Sequence, residues 1–222
     1  MIITLLFILL TLLIYYASKR LYRWSPKVYL TPLLVTPVVI VLLLLVTHVP
    51  FHSYNLGGKW LTAMLQPATI AFAVPLYKYF DVLKKHAIEI LTSVFIGALM
   101  GMLSSALIAK WLHLDVSLMD SMIPRSITTP IAMNVSSLIG GIPTVTAIVV
   151  IMTGILGSII GPLIIRLFHI DNDLARGVLF GTGAHGAGTS KAFELSSISG
   201  TISSVSMILA ALFTLCLAPL LF

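Results

Sequence analysis

Long apolar runs, each bounded by a short cluster of charged or turn-forming residues, recur along the whole chain. Runs of about 20 apolar residues cross the hydrocarbon core of a bilayer as helices, and their spacing predicts about eight transmembrane segments. Residues 2–17, 30–47, 87–111, 144–168 and 199–222 read as spans; the second carries Pro32 and Pro37, which membrane helices tolerate better than soluble ones. A third span over 61–79 is interrupted by Gln66-Pro67 and by Pro75. Two more, near 123–140 and 178–198, are apolar runs cut by proline, glycine and hydroxyl side chains, and these predict broken helices. The stretches 48–60 and 110–120 read as connecting loops. The expected fold is an all-α polytopic membrane protein made of one domain, 1–222, in which 1–116 supplies scaffold spans and 117–222 is a two-unit repeat carrying the polar motifs.

Composition agrees with that pattern. Of the 222 residues 59% are hydrophobic and only 9% charged, where soluble domains run near 25% charged. The net charge of +6 does not point to nucleic acid, because the basic residues flank apolar spans instead of forming one basic face. Lys19, Arg20, Arg23 and Lys27 follow the first span, and Lys78, Lys84 and Lys85 follow the third. The positive-inside rule makes both clusters cytoplasmic and places the N-terminus outside. The start lacks the basic leader and small-residue cleavage site of a signal peptide and reads as a retained first span. The one cysteine, Cys216, can form no intrachain disulfide.

The most unusual text is Gly181-Thr182-Gly183-Ala184-His185-Gly186-Ala187-Gly188-Thr189-Ser190-Lys191-Ala192-Phe193-Glu194. Each glycine costs a helix roughly 1 kcal/mol relative to alanine, and an ionisable side chain at the bilayer centre costs about 2.5 to 3.5 kcal/mol unless paired or hydrated. Residues that expensive suit a function. His185 either bridges packed helices or moves a proton beside a bound anion. Lys191 and Glu194, three apart, share a helix face and either neutralise each other or belong to a site. Gly181-x-Gly183-x-x-Gly186 matches the spacing of a dinucleotide fingerprint but lacks the preceding strand and the later acidic residue.

A second polar stretch, Pro124-Arg125-Ser126-Ile127-Thr128-Thr129-Pro130-Ile131-Ala132-Met133-Asn134-Val135-Ser136-Ser137, is closed by Gly140-Gly141-Ile142-Pro143. At an offset of 60 residues, Thr129, Ala132, Ser136, Ser137 and Gly140 coincide with Thr189, Ala192, Ser196, Ser197 and Gly200, and Arg125 falls opposite His185. Corresponding interrupted segments in two repeats are the best sequence pointer to a transporter's binding site. Arg125 either snorkels to the interface or grips a carboxylate with its planar fork. Thr128, Thr129, Asn134, Gly186, Gly188, Thr189 and Ser190 complete the candidate lining with Arg125, His185 and Lys191, and His185 or Glu194 is the candidate proton carrier. No metal spacing, cofactor motif or catalytic constellation is present, so enzyme activity is not expected.

On these two stretches, together with Pro75-Leu76-Tyr77-Lys78 and Ala175-Arg176-Gly177, the sequence resembles the LrgB/CidB family of bacterial membrane proteins. The resemblance implies a multi-pass protein of the bacterial cell membrane and two functional descriptions. In one, members are antiholin-like or holin-like proteins that modulate murein hydrolase activity and autolysis with a smaller LrgA/CidA-like partner. In the other, which includes the plastid glycolate/glycerate transporter, they carry small hydroxy- or keto-acids. The residues favour a proton-coupled carrier of monocarboxylates of the pyruvate, glycolate or lactate type. The expected partners are the small carboxylate and the bilayer, with an LrgA/CidA-like protein and self-association as further candidates, and no nucleic acid.

Overall fold

The structure is a computed structural model that describes residues 2–25, 30–64, 67 and 73–222; Lys27 and Gln66 lie outside the described residues. Every element among them is helical. The chain packs as two compact units, Met1–Ala71 and Phe72–Phe222.

In the first unit, α1 (Ile2–Trp24) packs on α2 (Pro32–Val46) and α3 (Phe51–Ala63). Helix α1 runs well past the expected end near Tyr16. Ser18 bonds back to the Ile14 carbonyl at 2.8 Å, and Lys19 and Arg20 lie over the rings of Tyr15 and Trp24, so the basic turn is supported by its own neighbours. Residues 48–60, expected as a loop, are instead largely helix α3. Gly57 lets α3 touch the α1 backbone at Thr4, and Tyr54 meets Thr11 at 3.1 Å and the edge of Phe7. An amphipathic tertiary contact outweighs the mixed polar and aromatic composition that argued for a loop.

The second unit holds α4 (Ala73–Lys78), α5 (Phe80–Lys85), α6 (Ala87–Trp111), α7 (Val116–Met122), α8 (Thr129–Ile139), α9 (Pro143–Leu167), α10 (Asp173–Leu195) and α11 (Ser197–Leu221). Helix α7 occupies part of the stretch 110–120 that was expected to be a loop. Among the described residues four helices, α1, α6, α9 and α11, are long and apolar enough to cross a membrane; α2 and α8 are apolar but shorter. Their outward faces carry large apolar side chains such as Leu9 and Leu13 on α1, Ile96 and Leu107 on α6, and Ile151 and Leu163 on α9. Such surfaces are stable only in lipid or against a partner.

Helix α11 is the hub of the second unit. It packs along α10 and also touches α6 and α8. From Ser199 to Ser204 it is buried all round, with Ser199, Thr201, Ser203 and Ser204 fully enclosed. Small residues let neighbouring backbones approach: a side chain at Gly177 would meet Ile202, and one at Gly181 would strike the Ser203 carbonyl. Ile90, Val94 and Met102 of α6, Val135 of α8, Val150 of α9 and Ile202 of α11 join one apolar core.

Candidate functional site

Helix α10 begins from a secured end. The Asn172 side chain accepts from the Leu174 amide at 2.8 Å, and Arg176 donates to the Ile170 carbonyl at 2.7 Å and to Asp171 at 3.2 Å. The backbone then leaves helical geometry at His185, with φ 40° and ψ −128°. That is a region glycine favours, and a histidine there stores about 1 to 3 kcal/mol of strain. Three residues later, a side chain at Gly188 would stand 2.5 Å from the Phe180 carbonyl oxygen. Eight residues of straight helix would separate those positions by about 12 Å, so the chain turns sharply at His185 and sets the second stretch back beside the first.

The strain is held by the imidazole. Its Nε2 lies 3.0 Å from the Val150 carbonyl on α9, and the residue is 8% exposed. Helix α9 is shaped to receive it. Gly154, Gly157 and Gly161 face His185, Ala184 and Phe180 in turn, and a side chain at any of the three would overlap its partner. The carbonyl of His185 accepts from Thr189 Oγ1 at 2.9 Å, and Thr189 is also joined to Ser203 of α11 at 2.9 Å.

Arg125 reaches the same pair of helices from another direction. It sits in the non-helical segment 123–128 between α7 and α8, and its Nε donates to Ser105 Oγ of α6 at 2.6 Å. Among the described residues its terminal nitrogens have no partner. Together with Thr153 it lines a cavity of about 270 Å³ whose other walls are apolar or glycine, including Leu156, Phe180 and Gly183. A guanidinium set in apolar walls suits a small anion with an apolar body: the fork can pair with two oxygens while the walls take the apolar part.

The other sequence-derived candidates are distributed unevenly. The cavity lining includes Gly183 and Ala184, immediately before His185, but not the imidazole, and no hydrogen bond joins Arg125 to His185 among the described residues. Lys191 is bonded to Glu194 at 2.5 Å, and Glu194 is exposed. Thr128 precedes α8 without capping it through its side chain, Thr129 begins that helix, and Asn134 is exposed on its surface. A side chain at Gly186 would meet nothing within 4 Å, and Ser190 bonds back to the Gly186 carbonyl at 3.1 Å. Ser105, Thr153 and Phe180 were not anticipated. Ser105 left a faint signal as a hydroxyl inside an apolar span; the other two left none.

Comparison with known proteins places this architecture. The LrgB-like family matches residues 11–222. The protein YwbG of Bacillus subtilis (strain 168), which is uncharacterized, is 66% identical over 96% of this chain and 94% of its own length. YxaC of the same organism, also uncharacterized, is 39% identical over 98% of this chain and 95% of its own. The antiholin-like protein LrgB of Bacillus cereus (strain B4264) is 34% identical over 96% of this chain and 93% of its own. No solved structure matches the chain. A family match that takes in every element from α2 to α11, with relatives aligned nearly end to end, leaves one assignment: this chain belongs to the LrgB-like family.

Proposed function

We propose that the protein acts as an antiholin-like component of the bacterial cell membrane, one that modulates murein hydrolase activity and autolysis together with a small LrgA/CidA-like partner. The observation that carries this reading is the near end-to-end relationship to the Bacillus cereus proteins named antiholin-like. The apolar outer faces of α6 and α9 are consistent with assembly inside the bilayer, where helices associate through close packing. Expression of the chain in Bacillus cereus lacking its own LrgB protein tests it. Murein hydrolase zymograms and lysis rates should return toward those of the parent strain; membrane-inserted protein that leaves both unchanged would refute the reading.

A second reading, carriage of a small monocarboxylate of the pyruvate, glycolate or lactate type with a coupled proton, is favoured by the cavity beside Arg125. On this reading the chain has about eight crossings with its N-terminus outside, the segments near 123–140 and 178–198 are the interrupted crossings of an internal repeat, Arg125 holds the carboxylate, and His185 or Glu194 carries the proton. Lys191 is the expected second contact of the carboxylate, although it is not among the residues that line the cavity. Purified protein in liposomes should take up labelled pyruvate, glycolate or lactate saturably and faster with an inward proton gradient. Absence of saturable uptake of all three would remove this reading and leave the first intact.

A further inference from the structure

Asp120, near the end of α7, is only 6% exposed, yet among the described residues its side chain makes no hydrogen bond and no ion pair. The residues around it are tightly tied. Ser121 Oγ donates to the Ser117 carbonyl at 2.6 Å and accepts from the Ile142 amide at 2.7 Å, which pins α7 to the joint between α8 and α9. Gly140 ends α8 in a left-handed conformation, φ 96°, and a β-carbon there would stand 3.5 Å from Asp120 Oδ2. The carboxylate therefore lies against the C-terminal end of α8.

That arrangement sets negative against negative. The last turn of a helix carries carbonyls without intrahelical donors and the negative end of its dipole. Of these carbonyls, the Gly141 amide serves that of Ser136 at 2.8 Å. The Ser136 hydroxyl, which accepts from Thr146 at 2.7 Å, adds another oxygen beside Gly141. A largely enclosed carboxylate that keeps an opening to water, set beside the negative end of a helix, calls for a positive partner that can enter from that opening. One carboxylate balances one positive charge, and among the described residues no group of three His, Cys, Asp or Glu side chains exists to hold a more highly charged metal ion. The C-terminal ends of half-helices in membrane carriers coordinate monovalent ions through such carbonyls.

We propose that Asp120, the C-terminal carbonyls of α8 and the Ser136 hydroxyl form a binding site for a monovalent alkali cation. A filled site ties α7 to α8 across the non-helical segment that carries Arg125. The proposal is independent of both functional readings, because binding is measured without uptake or lysis.

The test uses the full chain, purified in detergent. Thermal unfolding is followed in sodium, potassium and choline chloride at equal ionic strength and at several pH values. Sodium or potassium should raise Tm by about 3 °C or more over choline, as a ligand specific to the folded state does. Asp120→Asn should abolish that rise while remaining at least as stable as the parent in choline, since the uncompensated charge is gone. Equal Tm values in the three salts, or a rise that survives in Asp120→Asn, would overturn the proposal. So would a dependence on pH alone, which would make Asp120 a proton site. Should Asp120→Asn fail to fold, equilibrium binding of radioactive sodium and rubidium to the parent decides: saturable uptake of one ion per chain supports the site, and none refutes it.

Discussion

The imidazole of His185 occupies the space that a side chain on Gly154 would need: a β-carbon there would stand 2.7 Å from Cε1 and 2.8 Å from Nε2. The turn in α10 and the bare surface of α9 are thus one device. The glycine allows the histidine to reach the Val150 carbonyl, and that bond offsets the strain of a positive φ.

Gly154→Ala should therefore be costly in a way that helix propensity alone does not predict. Alanine is the better helix former, but the two nearest atoms it meets belong to a ring that is held and buried, and the Ala187 side chain crowds it as well. Overpacking of this kind costs about 1 to 3 kcal/mol. A Tm in detergent that falls by several degrees is the expected result; an unchanged or higher Tm would show that the ring moves freely.

Gly183 offers the contrast. Nothing lies within 4 Å of the position its side chain would take, although it borders the cavity. Gly183→Ala should leave the fold intact or raise its stability by about 0.5 to 1 kcal/mol. Gly183→Leu should fold as well but fill the cavity. On the carrier reading it lowers uptake while Tm stays near that of the parent protein, and equal loss of both would count against a cavity at this point.

At His185 itself, two substitutions separate ring from backbone. Alanine keeps the strained backbone and loses the bond to Val150, for a cost of about 1 to 3 kcal/mol. Glycine loses the same bond but adopts φ 40° without strain. The expected order of Tm is parent, then His185→Gly, then His185→Ala. The reverse order of the two variants would mean that the backbone at this turn is not strained.

Arg125 divides the two functional readings. Arg125→Lys keeps a charge but loses the planar fork and the Nε bond to Ser105. Carriage of a carboxylate should fall by roughly 10-fold, equivalent to about 1.4 kcal/mol, in the liposome assay. An antiholin role without a carboxylate site leaves the zymograms and lysis rates of Arg125→Lys at the level of the parent.

Much of the helical frame is legible in the residues. Helix α6 begins and ends where the apolar run 87–111 does, and α9 and α11 differ from the expected spans by no more than two residues at either end, because an unbroken apolar run in lipid has one way to satisfy its backbone. Helices α3 and α7 escaped notice for the opposite reason. Each is short and compositionally mixed, and each is helical because of what it packs on: Gly57 against α1, and Ser121 against the α8–α9 joint.

The glycine-rich text marked α10 as unusual, but nothing in it singled out the histidine as the residue that takes the positive φ. Nor did it announce Asp120, an ordinary acidic residue in an expected loop that proves to be almost fully enclosed.

Hydropathy by itself determined that this chain belongs in a membrane and which of its stretches form long helices, since both follow from local transfer of side chains and backbone out of water. Only the tertiary structure decided which partners meet. Arg125 finds Ser105 twenty residues away, and His185 finds Val150 thirty-five residues away. Those meetings depend on how each helix is rotated and how closely the glycine faces of α9 and α10 let them approach, which is a property of packed surfaces and not of any one stretch of chain.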